Sequence, residues 1–261
     1  MKAVVLSALT VAGLVYGLLC AFLFFAQRSM LYFPTPEVKL SGAESISLKV
    51  AGETLRIWGR PAAGPQALIY FGGNAEDVSA NLSSFARAMP GRALYLVNYR
   101  GYGGSSGSPS EQGLFSDALA VYDWVREKHP GIAVVGASLG SGVAVYLASA
   151  RKVDRLVLVA PFDSIENLAR ARFPLLPISL LLKDKFDSAA RVPGITAKTL
   201  VVIAGNDEMI ARERSDALVA RFPADQVRVE IIDGATHNSI AESPRYLQLI
   251  AGFLAEKGGQ I

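Results

Sequence analysis

A glycine-flanked serine is the first candidate for chemistry. Residues 136–140 (GASLG) have the form Gly-x-Ser-x-Gly, with Ser138 at the centre. A serine hydroxyl is a weak nucleophile at neutral pH, so hydrolysis through it needs a base and donors for the oxyanion that forms. An apolar run precedes the motif and a helical pattern follows it, the context in which a sharp turn raises such a serine. We predict that Ser138 is a nucleophile; the alternative is a simple helix cap.

A second segment matches the same pattern. Residues 103–107 (GGSSG) place Ser105 at the centre, but the chain continues as a glycine- and serine-rich loop to Ser110. No helix begins directly behind Ser105, so the strand–turn–helix context is missing. We therefore reject Ser105 as the nucleophile.

The general base is chosen from two histidines. His237 lies in residues 234–238 (GATHN), after the last predicted strand and at the edge of the sheet from which Ser138 also emerges. His129 precedes Pro130 at the end of a predicted helix, a position typical of a surface residue. We predict that His237 is the base, with a solvated loop histidine as the alternative.

A carboxylate should orient the base. Residues 205–208 (GNDE) follow a predicted strand and offer two adjacent acids. We favour Asp207, which would accept the second imidazole N–H and stabilise the imidazolium. Glu208 and Asp163 remain open, as does a carboxylate that only forms a turn. Ser138, Asp207 and His237 follow the chain order Ser, Asp, His.

The oxyanion donors are sought in residues 71–75 (FGGNA), which follow a predicted strand and are expected to open a helix. Glycines allow backbone N–H groups to approach a substrate closely. We predict that the N–H groups of Asn74 and Leu139 form the oxyanion hole. An ordinary glycine turn is the alternative.

Strands and helices that could position these residues alternate along the chain. An alternating pattern predicts an opening hairpin, five short apolar runs predict strands buried on both faces, and one further strand closes the series. The strands are residues 45–50, 54–60, 67–71, 93–98, 132–136, 156–160, 199–204 and 227–232. The helices are residues 75–88, 112–128, 139–150, 212–221 and 244–256. This order predicts an α/β fold with an eight-stranded, mostly parallel sheet and helices on both faces.

Residues 163–195 interrupt the alternation. They contain apolar stretches punctuated by Pro174 and Pro177, which suit a small lid better than a plain crossover helix. The alternative is a crossover helix whose leucines pack on the sheet.

The N-terminus is apolar enough to cross a membrane. Residues 3–26 carry no charge, and the mean hydropathy of the whole chain is +0.31. We predict an anchor at residues 1–28, a linker at 29–44 and one catalytic domain at 45–261 that includes the lid. A cleaved signal peptide is the rival, but bulky Phe24 and Phe25 precede Ala26, where a small residue is needed. Charged residues flank both ends, so the side of the membrane stays open.

The composition indicates which classes of partner and cofactor to expect. A net charge of +3 without a dense basic run gives no reason to expect nucleic acid. The single cysteine, Cys20, lies in the predicted anchor, where an apolar thiol is favoured over a lipid attachment. The proposed chemistry needs neither a metal nor an organic cofactor. The apolar lid favours a small or lipid-like acyl substrate; the sequence does not indicate the oligomeric state.

The chain resembles the α/β-hydrolase superfamily and, within it, the Bem46-like branch that includes the ABHD17-like acyl-protein hydrolases. Four segments carry the resemblance: residues 71–75 (FGGNA), 98–105 (NYRGYGGS), 136–140 (GASLG) and 234–238 (GATHN). It implies the α/β-hydrolase fold and a structural role for residues 98–105. Two departures are Gly72, where the family usually has His, and an acid loop one residue shorter than usual.

These observations lead to one hypothesis with two rivals. Ser138 would attack an ester or thioester carbonyl, and water would release the acyl group from the enzyme. A serine peptidase of the same fold is the nearest alternative. A noncatalytic membrane-tethered binding module is the alternative from a different class.

Overall fold

The computed structural model describes residues 1–40 and 43–256. The parts of the predicted linker and domain at 41–42 and 257–261 lie outside the described residues. Eight strands form one sheet in the order β1-β2-β4-β3-β5-β6-β7-β8. They are β1 Glu44–Val50, β2 Glu53–Arg60, β3 Gln66–Phe71, β4 Ala93–Val97, β5 Gly131–Ala137, β6 Arg155–Val159, β7 Lys198–Ala204 and β8 Val227–Ile232.

The sheet is mostly parallel. Strand β2 pairs antiparallel with β1 and with β4, whereas the other five neighbouring pairs run parallel. Because parallel neighbours end at the same edge, the loops after β3, β5, β7 and β8 meet at the carboxyl edge of the sheet. The predicted fold class is confirmed.

Helices cover both faces of the sheet. The described residues contain the helices α1 Lys2–Leu31, α2 Leu82–Ala88, α3 Glu111–Arg126, α4 Leu139–Ala150, α5 Ile165–Arg172, α6 Ile178–Leu181, α7 Arg212–Val219 and α8 Pro244–Ala255. One core contains residues of α3 and α4, the other residues of α2 and α8. Alternate residues of β5 divide between them: Ile132 and Val134 join the first core, Ala133 and Val135 the second. Because the central strands are buried on both sides, their sequences are continuous apolar runs.

The predicted helix at residues 75–88 is wrong in its first half. Residues 74–77 form a loop, a 3-10 turn spans Val78–Asn81, and α2 begins only at Leu82. Ala75 has a φ of 61°, a left-handed conformation that cannot lie inside a right-handed helix. Asp77 caps the 3-10 turn by accepting a hydrogen bond from the N–H of Ser79. The segment after β3 is therefore a turn.

The first helix stands apart from the sheet. Helix α1 is uncharged from Ala3 to Gln27, contains no buried residue, and is long and apolar enough to cross a membrane. The chain meets the domain directly after α1, where Tyr32 is buried in the first core.

Residues 163–195 contain no long crossover helix. They form the short helices α5 and α6, an extended stretch and a 3-10 turn at Val192–Gly194. Leu175 and Leu180 are 86% and 82% exposed, so these leucines do not pack on the sheet. We call residues 163–195 the lid segment, without implying movement.

Candidate active site

The turn between β5 and α4 holds Ser138 in a strained conformation. Its φ of 49° and ψ of −115° raise the side chain at the tip of the turn. The flanking glycines make the turn possible by close packing. A Cβ on Gly136 would lie 2.3 Å from the carbonyl oxygen of Gly140, and one on Gly140 would lie 2.1 Å from that of Phe71. A larger residue at 136 would push α4 away from β5, and one at 140 would push α4 away from the end of β3.

The structure brings Ser138, His237 and Asp207 together. The hydroxyl Oγ of Ser138 lies 2.9 Å from Nε2 of His237. On the far side of the ring, Nδ1 of His237 lies 2.8 Å from Oδ2 of Asp207. The side chains of His237 and Asp207 are only 8% and 5% exposed, so little water competes for their contact. The three groups thus form a continuous path for a proton from the hydroxyl to the imidazole.

Asp207 is held as an anion. Burial raises the pKa of its carboxyl, but hydrogen bonds from His237 and from backbone N–H groups outweigh this and bring the pKa below its usual value. The backbone N–H groups belong to Met209 and Ile210, which donate to Oδ1 at 3.0 and 2.8 Å. Asp207 therefore stays negatively charged beside His237 at neutral pH.

The alternative acids do not reach the imidazole ring. Glu208 accepts a hydrogen bond from the backbone N–H of His237 at 3.2 Å. Asp163 is buried and accepts from Asn167 at 2.7 Å and from Arg214 at 3.1 Å. Both carboxylates bind other groups, the backbone N–H of His237 in one case and two side chains in the other. Of the three acids, only Asp207 hydrogen-bonds the ring.

The loop after β3 faces the serine. A Cβ on Gly73 would lie 3.6 Å from Cβ of Ser138, which shows how closely this backbone passes. Among the described residues, the N–H of Asn74 has no hydrogen-bond acceptor. The N–H of Leu139, the first residue of α4, is one of those that a helix leaves unpaired. These two N–H groups are the predicted oxyanion donors.

The side chain of Asn74 joins this loop to the end of α1. Its Nδ2 donates to the carbonyl of Leu31 at 2.6 Å, and its Oδ1 accepts from the N–H of Phe33 at 3.0 Å. The hydroxyl of Tyr102 also donates to Oδ1 at 2.8 Å. Burial raises the pKa of Tyr102 to about 12, so the phenol keeps its proton at neutral pH. The chain leaving α1 thus helps to position Asn74.

Two further supports of the loop were missed in the sequence. Glu76 accepts hydrogen bonds from the N–H of Gly73 and from the side chains of Tyr70 and Asn81. Tyr99 donates its hydroxyl to the carbonyl of Gly72 at 2.7 Å. A carboxylate three residues after a glycine resembles a capping arrangement and could have suggested the role of Glu76. The reach of Tyr99 has no such local signal.

A pocket of about 500 Å³ opens beside Ser138. His237 lies in its wall, together with apolar and aromatic side chains that include Tyr70, Met209 and Ile240. Glu76 and Asp77 also line the pocket. The volume suits a small organic molecule or part of a longer chain. In the part of the chain that the structure describes, no three His, Cys, Asp or Glu side chains cluster as a metal site would require.

The prediction that His129 is a surface residue is wrong. The ring is 6% exposed, with Nε2 3.0 Å from the hydroxyl of Tyr95 and Nδ1 3.1 Å from the carbonyl of Gly64. After α3 the chain enters the centre of the sheet, where Gly131 is the first residue of β5. His129 therefore lies beneath the loop between β2 and β3, which contains Gly64. His129 is a buried structural residue far along the fold from Ser138.

Comparison with known proteins agrees with this architecture. The alpha/beta hydrolase fold family matches residues 66–180. An uncharacterised protein of Mycobacterium tuberculosis is 34% identical over 96% of this chain and 95% of its own length. The Schizosaccharomyces pombe protein bem46 is 28% identical, over 89% of this chain and 83% of its own. Human ABHD12B is also 28% identical, over 92% and 80% of the two chains. The chain therefore belongs to the alpha/beta hydrolase fold family, within its Bem46-like group.

Solved structures show the same fold at lower identity. The Pyrococcus furiosus esterase Pf2001 superposes with a TM-score of 0.70 at 19% identity, covering 85% of this chain and 98% of the esterase. The hydrolase GrgF from Penicillium superposes with a TM-score of 0.66 at 18% identity, covering 81% and 97%.

Proposed function

We propose that the protein is a serine hydrolase that cleaves carboxylic ester or thioester bonds through an acyl-enzyme on Ser138. The observation that carries the proposal is the pair of short contacts on His237. Its ring lies 2.9 Å from the Ser138 hydroxyl on one side and 2.8 Å from Asp207 on the other. A buried imidazole between a hydroxyl and a carboxylate is the arrangement that makes serine nucleophilic.

The first half of the reaction transfers the acyl group to the enzyme. Oγ of Ser138 attacks the carbonyl carbon while Nε2 of His237 takes the hydroxyl proton. Asp207 accepts the Nδ1–H and stabilises the imidazolium. As the tetrahedral intermediate collapses, His237 gives its proton to the leaving alcohol or thiol, and the bond from the carbonyl carbon to that group breaks.

The second half restores the enzyme. His237 takes a proton from water, whose oxygen attacks the acyl-enzyme carbonyl, and the proton then returns to Ser138 as the acid leaves. In both halves the N–H groups of Asn74 and Leu139 would hold the oxyanion. Each such donor contributes about 3 kcal/mol of transition-state stabilisation in enzymes of this kind.

The apolar surroundings suggest the substrate and location. The pocket wall contains Tyr70, Met209 and Ile240, which would contact an acyl chain, and two acids that disfavour an anionic group. We propose that α1 is an uncleaved single-pass membrane anchor, because its uncharged length exceeds the roughly 30 Å of a hydrocarbon core. A lipid-like acyl substrate would be concentrated at that surface.

The decisive experiment is labelling with a fluorophosphonate probe, which reacts only with an activated serine. The wild type should be labelled and Ser138→Ala should not. Ser105→Ala is the matched control, since it removes the hydroxyl from the other Gly-x-Ser-x-Gly segment and should remain labelled. An unlabelled but folded wild type would instead support a noncatalytic binding module. Comparing p-nitrophenyl esters of different chain length with aminoacyl anilides separates the esterase from a peptidase.

A further inference from the structure

The middle of the lid segment is uncharged and exposed. Residues 173–182 (FPLLPISLLL), which we call the lid tip, contain no ionisable side chain. Leu175 and Leu180 are 86% and 82% exposed, and Phe173 is 49% exposed. Exposed apolar side chains grouped on one short segment are unusual for a surface that faces water alone. Ile178 is buried against the protein, whereas Phe173, Leu175 and Leu180 leave an apolar surface uncovered among the described residues.

The lid tip lies along the membrane side of α1. The hydroxyl of Tyr16 donates to the carbonyl of Leu175 at 2.8 Å, and the Gln27 side chain donates to the carbonyl of Leu181 at 2.9 Å. Tyr16 and Gln27 are eleven positions apart, or roughly 17 Å along a helix at 1.5 Å per residue. Arg28 is the first charged residue after Lys2, so both contacts lie on the apolar side of it.

The base of the lid tip is fixed near the expected membrane surface. Arg28 forms a bidentate ion pair with Asp184, with contacts of 2.9 and 3.2 Å, and Tyr32 donates to the same carboxylate at 3.1 Å. The backbone N–H of Lys183 donates to the side chain of Gln27 at 2.7 Å. These contacts set the height of the lid tip relative to α1.

Charge and hydrogen bonding of the lid tip also suit a bilayer. Arg170 and Arg172 precede it, and Lys183 and Lys185 follow it, as cationic residues commonly flank segments that enter lipid. Lipid offers no hydrogen bonds, so buried backbone groups must be paired within the protein. Within the lid tip, Pro174 and Pro177 have no N–H to satisfy. Of the eight N–H groups in the lid tip, six have acceptors in the protein: those of Phe173, Leu176, Ile178, Leu180, Leu181 and Leu182. The N–H of Lys183 at its base is also paired.

We propose that the lid tip inserts into the same membrane leaflet that α1 enters, so that the domain has a second apolar contact with the bilayer beside its anchor. The occupant of this surface is lipid. The proposal rests on the proposed anchor, because α1 is what defines the depth of the lid tip. Phe173, Leu175 and Leu180 would enter the hydrocarbon region, with Leu175 deepest beside Tyr16 and Lys183 among the headgroups.

Single-site fluorescence in vesicles tests the insertion. Cys20→Ser removes the only cysteine, and an environment-sensitive NBD label is then placed on Leu180→Cys, Val11→Cys or Glu127→Cys in the full chain. Val11 reports the anchor, and Glu127, beside the amino end of β5, reports the side of the domain away from Ser138. The vesicles contain phosphatidylcholine and phosphatidylserine with or without doxyl-labelled chains, and iodide is the aqueous quencher.

Insertion predicts that doxyl lipid quenches the label at Leu180 and that iodide quenches it about tenfold less than the label at Glu127. Leu175→Cys should behave in the same way; because both leucines are highly exposed, neither change should disturb folding, which circular dichroism checks. If Val11 is quenched by doxyl lipid but Leu180 only by iodide, the lid tip faces water and the proposal fails. If neither quencher reaches Leu180, protein covers it and the proposal also fails. A label at Val11 that only iodide reaches would overturn the anchor itself.

Discussion

Two segments of this chain share the pattern Gly-x-Ser-x-Gly and differ in everything that gives a serine its chemistry. Ser138 stands on a strained turn between β5 and α4, with its hydroxyl 2.9 Å from His237. Ser105 is 8% exposed in a loop, where its hydroxyl donates to the carbonyl of Asn98 at 3.0 Å and accepts from the N–H of Arg56 at 2.8 Å. One serine hydroxyl lies within hydrogen-bond distance of an imidazole, whereas the other joins a loop to β2.

The second segment still serves the site, by supporting its opposite wall. Tyr99 and Tyr102, from residues 98–105, hydrogen-bond the carbonyl of Gly72 and the side chain of Asn74. The loop that resembles a catalytic motif thus positions the loop that faces Ser138. The comparison teaches that the motif describes a compact glycine turn, and that the neighbouring elements decide whether its serine reacts.

The largest expected effect comes from removing His237, the proposed base, which contacts only one of the two serines. His237→Ala should lower kcat for a p-nitrophenyl ester by about 10⁴-fold or more, because Ser138 would then resemble Ser105 in having no general base to take its proton. His129→Ala is the matched control: it should cost stability through the lost contact with Tyr95 and leave kcat nearly unchanged. Full activity in His237→Ala would remove this residue from the mechanism.

The second-largest loss of activity is expected from a substitution at Asp207. Asp207→Asn replaces an acceptor that selects the productive imidazole tautomer, so kcat should fall about 10³- to 10⁴-fold with little change in KM. Glu208→Gln changes the adjacent acid, which contacts only the backbone N–H of His237, and should cost less than about tenfold. Equal losses in the two variants, measured by steady-state kinetics, would reopen the choice between them.

The link between the two loops can be tested at Asn74. Asn74→Ala removes the contacts to Leu31, Phe33 and Tyr102 but keeps the backbone N–H, whose position should relax. We expect kcat to fall about 10- to 100-fold, since small displacements of catalytic donors are costly. Tyr102→Phe removes one of these contacts and should have a smaller effect in the same direction. A change in KM alone would point to substrate binding and away from positioning.

The smallest expected effect on activity is that of Ser105→Ala. The substitution leaves the N–H of Arg56 and the carbonyl of Asn98 each without a partner, so unfolding free energy should fall by about 1–3 kcal/mol. Urea denaturation measures the loss, and hydrolysis should stay within a few-fold of wild type. Loss of turnover in a protein that remains folded would mean that the second segment does more than support a loop.

Much of the fold could be predicted from local sequence patterns, because burial and tight turns each require particular residue types. Buried central strands are continuously apolar, so β3 to β7 were recognisable as short runs, and glycines at 136 and 140 identified the turn that raises Ser138. The loop at 74–77 was not recognisable, because nothing in its composition reveals that Ala75 adopts a positive φ. His129 was misplaced because burial at a helix end depends on where the next strand enters the sheet.

The candidate site, too, could be predicted in part from local sequence patterns and in part only from the tertiary structure. Sequence alone determined that a glycine-flanked serine, an acidic pair and a loop histidine follow strands whose carboxyl ends share an edge, since parallel pairing brings such ends together. Only the tertiary structure decided that Asp207, not Glu208, meets the imidazole, because adjacent residues of one turn point in different directions. It also decided that Glu76 and Tyr99 support the loop after β3, and that the lid tip lies along α1. Those contacts join residues that are remote in sequence, and a local sequence pattern does not indicate which distant side chain will be in contact.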